Sequence, residues 1–226
     1  MLNTENISYY YQDGETRRII FKDINLNIEK GKFYAILGKS GSGKTTLLSL
    51  LSALDKPKEG HVKFDNQDIE EIGETNYRRN KVGIVFQQYN LIPHLTAYEN
   101  VMVAVGITNN KLPNDIQLVV YNLLNYLGLN KDKANRLVTQ LSGGEQQRVA
   151  IARSLATNVD LIIADEPTGN LDEQTETEII NIFKTLAHEH QKCVIVVTHS
   201  QDIADEADVV LHLENGIISI IEEHNE

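Results

Sequence analysis

The sequence predicts an α/β fold with a mostly parallel central sheet, an N-terminal antiparallel β subdomain and an inserted α-helical subdomain. Three observations carry that prediction. Four short apolar runs, FYAIL (33–37), VGIVF (82–86), LIIA (161–164) and VIVVT (194–198), are continuous rather than alternating, as strands covered on both faces must be. The N-terminal third alternates instead: Ile24, Leu26 and Ile28 are interleaved with Asp23, Asn25 and Asn27, and Val62 and Phe64 with Lys63 and Asp65, the period of half-buried antiparallel strands. Between residues 87 and 141 the strand signals fade. There Ile116, Val119, Val120, Leu123 and Leu127 fall at helical spacing and stop at Gly128.

The remaining elements follow in order. TTLLSLLSAL, after Lys44, carries Leu47, Leu48, Leu51 and Leu54 on one helical face. TETEIINIFKTLAHEH does the same with Ile179, Ile182, Phe183 and Leu186, and leads into the VIVVT strand. Asn215-Gly216 separates VVLHL from IISII, a strong signal for a tight hairpin turn. With 226 residues and 41% hydrophobic content the chain can bury a full core. The reading is one domain over 1–226, in which 1–86 and 153–226 form the β subdomain and core, and 87–152 the helical subdomain.

Composition excludes several functions. No stretch approaches the roughly 18 consecutive apolar residues of a membrane span, and MLNTENISYYYQDGETRR lacks the apolar core of a signal peptide, which predicts a cytoplasmic protein. A net charge of −11 opposes both a nucleic-acid groove and direct binding to anionic lipid, so membrane contact has to run through a protein partner. Cys193 is the only cysteine, beside VIVV, and reads as core packing.

Chemistry concentrates in a few strings. In GKSGSGKT (38–45), Gly38, Gly43, Lys44 and Thr45 satisfy the phosphate-loop pattern: glycines let backbone N–H groups curl around an anion, and the following helix presents its positive end. Lys44 then meets the β- and γ-phosphates, and Thr45 offers a hydroxyl to Mg²⁺. Asp165 ends an apolar strand, the usual place for a carboxylate that holds Mg²⁺, while its neighbour Glu166 projects elsewhere and is free to polarise an attacking water. A solvated acidic turn is the poorer reading, because four apolar residues precede the pair.

His199 follows VIVVT and emerges at the same sheet edge, where it could sense the terminal phosphate. Alone it would read as a structural histidine. Gln87, after VGIVF, can accept from water on Mg²⁺ and donate to phosphate, and it begins the helical lobe, which suits a hinge. In LSGGEQQRVAIARSLA, Ser142, Gly143 and Gly144 precede a helix beginning near Glu145, a second anion site in a chain that already has one. That surplus implies a second copy, packed head to tail, with ATP held between the Lys44 loop of one and the Ser142 loop of the other. HEH (188–190) reads as a solvated helix end, with no third ligand nearby for a metal.

Together these strings resemble the ATPase subunits of ABC transporters, with every expected motif in order over essentially the whole chain. The resemblance implies a P-loop NTPase, RecA-like core that uses ATP and Mg²⁺. It makes Gly38, Lys39, Ser40, Gly41, Ser42, Gly43, Lys44 and Thr45, with Thr46 beyond them, the Walker A phosphate site, and Gln87 the Q-loop. Residues 141–147 become the signature, with Glu145 where many relatives have Gln; Asp165 and Glu166 become Walker B, 170–172 the D-loop with Asp172, and His199 the switch histidine. An aromatic ring stacked on adenine is also implied. Tyr11 fits that spacing best, but Tyr9 and Tyr10 adjoin it and the choice stays open.

Within that superfamily, GIVFQQYNLIPHLTAYENV, the signature helix and ADEPTGNLD look like the MacB and LolD type, and FtsE is also similar. The implied partners are a second copy of the chain, an integral membrane permease and an extracytoplasmic adaptor, with no nucleic acid, at the cytoplasmic face of the membrane. The implied activity is efflux of peptides, drugs or lipoproteins; the alternative is FtsE-like signalling to cell-wall hydrolases without transport. Residues 89–97 are the candidate docking segment: Leu91, Ile92 and Leu95 form an apolar patch there unless they simply pack the lobe.

Overall fold

Alternation in the N-terminal third produces a four-stranded antiparallel sheet in the computed structural model, which describes residues 1–14 and 16–223. Strands β1 (Leu2–Asp13) and β2 (Thr16–Ile28) form a long hairpin, and β4 (Glu59–Phe64) and β5 (Gln67–Asp68) extend it in the order β2-β1-β4-β5. Ile24, Ile28, Val62 and Phe64 are buried on one face. The hairpin is irregular where the sequence turns polar: Asn6 (φ 50°) and Asp23 (φ 55°) adopt left-handed backbone near register shifts. Side chains satisfy the interrupted ladder, as Ser8 Oγ accepts from Asp23 N at 3.0 Å and Thr4 Oγ1 from Leu26 N at 2.8 Å.

The four continuous apolar runs become β3 (Phe33–Leu37), β6 (Val82–Val85), β7 (Leu161–Asp165) and β8 (Cys193–Thr198). With β9 (Val209–Glu214) and β10 (Ile217–Glu223) they form one sheet in the order β10-β9-β3-β8-β7-β6, parallel except for the β9–β10 hairpin. Asn215 (φ 51°) and Gly216 (φ 77°) make the turn between those last strands, both left-handed as a two-residue hairpin loop requires. Side chains alternate between two cores: Phe33, Ala35, Ile162, Ala164, Val194 and Val196 face one, and Tyr34, Ile36, Leu161, Ile163, Ile195 and Val197 the other. Each fully buried Val or Ile is worth about 1.5–3 kcal/mol relative to exposure, which is why neither face of these strands is polar.

Helix α1 (Lys44–Leu51) lies between the two sheets, and α2 (Ile69–Ile72) and α3 (Glu74–Asn80) lead back into β6. The opposite face carries the helical lobe, made of α4 (Ala97–Ile107), α5 (Ile116–Tyr126), α6 (Lys131–Ala134) and α7 (Gly143–Leu155), together with α8 (Glu173–His188) and α9 (Gln201–Asp205). Helix α7 runs through residue 152, the expected lobe boundary: it packs with α4 and α5, and Ser154 near its end lies against Gly83 of β6, where an added Cβ would come within 2.9 Å.

One expectation fails for a tertiary reason. Leu54 is not on the buried face of α1; the helix ends at Leu51 and Leu54 is exposed, while Leu50 is buried instead. A helix enclosed by two sheets is buried nearly all round, so no narrow stripe marks its inner face. At the helix end 188–190, Glu189 and His190 are exposed as expected, while the half-buried His188 ring faces Asp208 at 3.0 Å, and that carboxylate also accepts from Phe33 N at 2.6 Å.

Candidate functional site

The loop between β3 and α1 closes on itself. Gly41 (φ 79°) and Gly43 (φ 102°) take backbone angles that favour glycine, and a Cβ on Gly43 would meet Ile20 Cγ2 at 2.6 Å. Lys44, 8% exposed, donates from Nζ to Gly38 O at 2.7 Å and Lys39 O at 3.3 Å, so its ammonium is held over the loop it has to serve. The loop opens into a cleft of about 670 Å³. Gly38, Lys39, Ser40, Gly41, Gly43, Lys44, Thr45 and Thr46 form its floor, Tyr11, Arg18 and Ile20 one wall, and Gln87, Glu166 and His199 the other. Ser42 does not line it; its buried Oγ lacks a partner and faces the inside of the loop, 2.6 Å from where a Cβ on Gly38 would sit.

Three tyrosines compete for the first wall, and only one reaches it. Tyr9 is buried, and its hydroxyl donates to Asp55, which pushes its pKa up to about 12. Tyr10 lies under the Arg17 guanidinium, 4.7 Å from the ring centre. Tyr11 is half exposed, and its hydroxyl is 3.3 Å from Thr46 Oγ1.

The acidic pair sits where β7 ends. Glu166 has left-handed backbone (φ 43°), a conformation costing about 1–3 kcal/mol for a residue with a side chain. Its N–H donates to Val197 O at 2.8 Å, so β8 holds the strained turn. Glu166 Oε2 accepts from Thr198 Oγ1 at 3.1 Å and lies 2.9 Å from His199 Nδ1; Oε1 is 3.9 Å from Lys44 Nζ. His199 is exposed, with one ring nitrogen engaged by that carboxylate and the rest open to the cleft.

Asp165 points differently. Burial above all, and then the neighbouring Glu166, raise its carboxyl pKa above the ordinary value, against the lowering effects of a hydrogen bond from Thr45 and of the Lys44 charge. Its Oδ1 is buried without a hydrogen-bond partner. An orphaned carboxylate oxygen beside a threonine hydroxyl is the donor set a small divalent cation takes, so Thr45 and Asp165 fit Mg²⁺. Gln87 lies against Gly169, on the loop that follows the acidic pair.

Residues the sequence did not single out complete the arrangement. Glu176, in the first turn of α8, accepts from Thr168 Oγ1 at 2.9 Å and Ser200 Oγ at 2.8 Å. One carboxylate thereby ties the loop after Glu166 to the loop carrying His199. Arg18 and Ile20 line the cleft from β2, where alternation marked only a strand. No local pattern identifies these residues, because each acts across elements distant in sequence.

The signature residues lie elsewhere. Ser142 caps α7 in a reciprocal box: its Oγ accepts from Glu145 N at 3.3 Å, and Glu145 Oε2 accepts from Ser142 N at 2.9 Å. Ser142 is exposed and does not line the Lys44 cleft of its own chain. One oxygen of the Glu145 carboxylate turns back onto the start of its own helix, and the other meets Lys133 of α6. Gly143 abuts the Tyr89 hydroxyl, and a Cβ on Gly144 would meet Thr175 Cγ2 at 2.5 Å. Asp172 likewise caps α8, accepting from Thr175 N at 3.0 Å, and that N–H holds its carboxyl below the usual range. Leu91, Ile92 and Leu95 are half-buried; Leu91 packs on the lobe core, and the buried Asn100 pins the segment by accepting from Ile92 N at 2.7 Å.

Comparison with known proteins places this geometry. Residues 21–169 match the ABC transporter family. The uncharacterized ABC transporter ATP-binding protein YclH of Bacillus subtilis is 46% identical over 98% of this chain and 97% of its own length. The macrolide export ATP-binding/permease protein MacB of Bdellovibrio bacteriovorus is 40% identical over 96% of this chain, which spans 33% of that protein. A dimeric post-hydrolysis structure of the ATP-binding cassette MJ0796 of Methanocaldococcus jannaschii, bound to ADP and Pi, superposes with a TM-score of 0.90 at 39% identity, with both chains fully covered.

Proposed function

The chain belongs to the ABC transporter family and is an ATPase of that family, and from that premise we propose that two copies close head to tail on two ATP to drive a separate MacB-like permease. One observation carries the reading. The Lys44 loop, Asp165, Glu166 and His199 converge on one sheet edge, while Ser142, with the helix start it caps, stays outside that cleft and exposed. The MJ0796 dimer and the fusion of cassette and permease in the name of MacB support both halves of the proposal.

In this reading Tyr11 stacks on adenine, the N–H groups from Lys39 to Thr46 wrap the phosphates, and Lys44 exchanges its loop carbonyls for the β- and γ-phosphates. Thr45, Asp165 and Gln87 would hold Mg²⁺, whose charge would neutralise the phosphates. Glu166 takes a proton from the attacking water, and His199, oriented by Glu166, donates to the γ-phosphate. Ser142, Gly143 and Gly144 of the second copy close the site, with Asp172 beside them. Loss of the phosphate contact at Gln87 then moves the lobe, which is taken as residues 87–152 with α7 as the shared helix.

No helix among the described residues is long and apolar enough to cross a membrane. In this reading the chain sits at the cytoplasmic face through its permease, with 89–97 as the docking segment and export of peptides, drugs or lipoproteins as the work performed. The test is to trap Glu166→Gln with Mg·ATP in membranes of the source organism and identify what co-purifies. A permease with a large extracytoplasmic domain, joined by an adaptor or transport substrate, supports extrusion. Recovery of cell-wall hydrolases with the permease would overturn it in favour of FtsE-like signalling.

A further inference from the structure

Glu145 puts a carboxylate at the helix start that is proposed to grip a partner's γ-phosphate. Alone, that charge would work against the grip. It would occupy the positive end of α7 and repel an anion brought to Ser142. The structure shows how both of its oxygens are employed: Oε2 accepts from Ser142 N at 2.9 Å, and Oε1 lies 2.8 Å from Lys133 Nζ. Lys133 comes from α6, whose start is fixed by Asn130 Oδ1 accepting from Lys133 N at 3.0 Å. Glu145 is thus bridged between the signature serine and a cation on a different helix.

We propose that Lys133 is a positioning residue that cancels the Glu145 charge, so that the capping box can hold Ser142 in place without repelling the γ-phosphate of the partner's ATP. The inference rests on the head-to-tail reading above. Supporting it, Lys133 first and the Ser142 N–H second hold the Glu145 carboxyl below its usual range, so the charge to be cancelled persists at neutral pH. The box itself needs only an acceptor oxygen at position 145. A Gln there would keep the bond to Ser142 N and leave Lys133 without a charge to cancel, which separates an electrostatic role from a merely structural one.

The test is the ATP dependence of turnover in Lys133→Met, Lys133→Arg, Glu145→Gln and the double variant Lys133→Met/Glu145→Gln. Lys133→Met is expected to raise the ATP concentration for half-maximal turnover roughly three- to tenfold, with kcat at saturation little changed, as for a partly screened charge near an anion. Lys133→Arg restores the wild-type value, and in the Glu145→Gln background the Lys133→Met shift vanishes. An equal shift in that background, a fall in kcat alone, or no shift at all would overturn the inference. Sedimentation of Glu166→Gln with ATP is run in parallel. If no ATP-driven dimer forms, the head-to-tail reading itself fails and takes this inference with it; if the dimer forms and Lys133→Met is indifferent, only the inference fails.

Discussion

In the function proposed above, the Lys44 cleft and the Ser142 loop both meet an anion, yet they are finished to different degrees. The cleft gathers loops from the carboxyl ends of four neighbouring parallel strands, β3, β8, β7 and β6, and two of its charged groups already find partners in the chain: Lys44 on Gly38 O, and Glu166 on Thr198 and His199. The Ser142 loop begins a helix on the lobe, is exposed, and is held by its neighbours on that helix, Glu145 and Gln146. One site has walls, while the other has a floor and no walls. A complete site reads as a property of the monomer, and a half-site as a surface awaiting its complement.

Breaking the complete site produces the largest expected effect. Glu166→Gln removes the proposed proton acceptor while keeping the shape, so turnover should fall roughly a hundredfold or more with nucleotide affinity little changed. Turnover near the wild-type rate would show that another group accepts the proton. Ser142→Ala tests the half-site. We expect hydrolysis to fall roughly tenfold or more, with no change in nucleotide binding to the monomer as followed by titration calorimetry below the dimerising concentration. Weaker binding by the monomer would mean that the two regions are not separate.

Smaller effects sharpen the same contrast through stability. Gly43→Ala adds a Cβ 2.6 Å from Ile20 Cγ2 at a φ of 102°, and should cost about 1–3 kcal/mol in thermal unfolding. The equivalent change at Gly41, left-handed but facing open space, should cost less. Asp165→Asn should act in the opposite direction. The folded-state pKa of Asp165 is raised, so its ionised form opposes folding at neutral pH, and that penalty is relieved as pH falls through the folded pKa. Replacing it by Asn should raise Tm at pH 7 by about 2 °C while reducing Mg²⁺-dependent hydrolysis, and the gain should shrink at acid pH. A lower Tm at pH 7 would mean that the hydrogen bond from Thr45 outweighs the burial of charge.

Much of the fold was legible because its signals are local. Continuous apolar runs identify β3, β6, β7 and β8, since a strand enclosed on both faces must be apolar at every position, and Asn215-Gly216 identifies the last hairpin because few other pairs adopt two left-handed residues in succession. Leu54 was misplaced because α1 ends at Leu51 and is covered nearly all round, and the pairing of His188 was missed because it depends on Asp208 arriving beside α8.

The sequence by itself determined the fold class, the order of the elements and the strings that contain a glycine-rich loop, an acidic pair and a second glycine-rich helix start, since each depends on residues a few positions apart. Only the tertiary structure decided which tyrosine faces the cleft, that Glu176 joins two loops and Lys133 meets Glu145, and that Ser142 stands apart from the Lys44 loop of its own chain. Those outcomes depend on distances between segments up to roughly a hundred residues apart in sequence, and no periodicity encodes them; they arise from how sheet and lobe pack to bury their apolar faces.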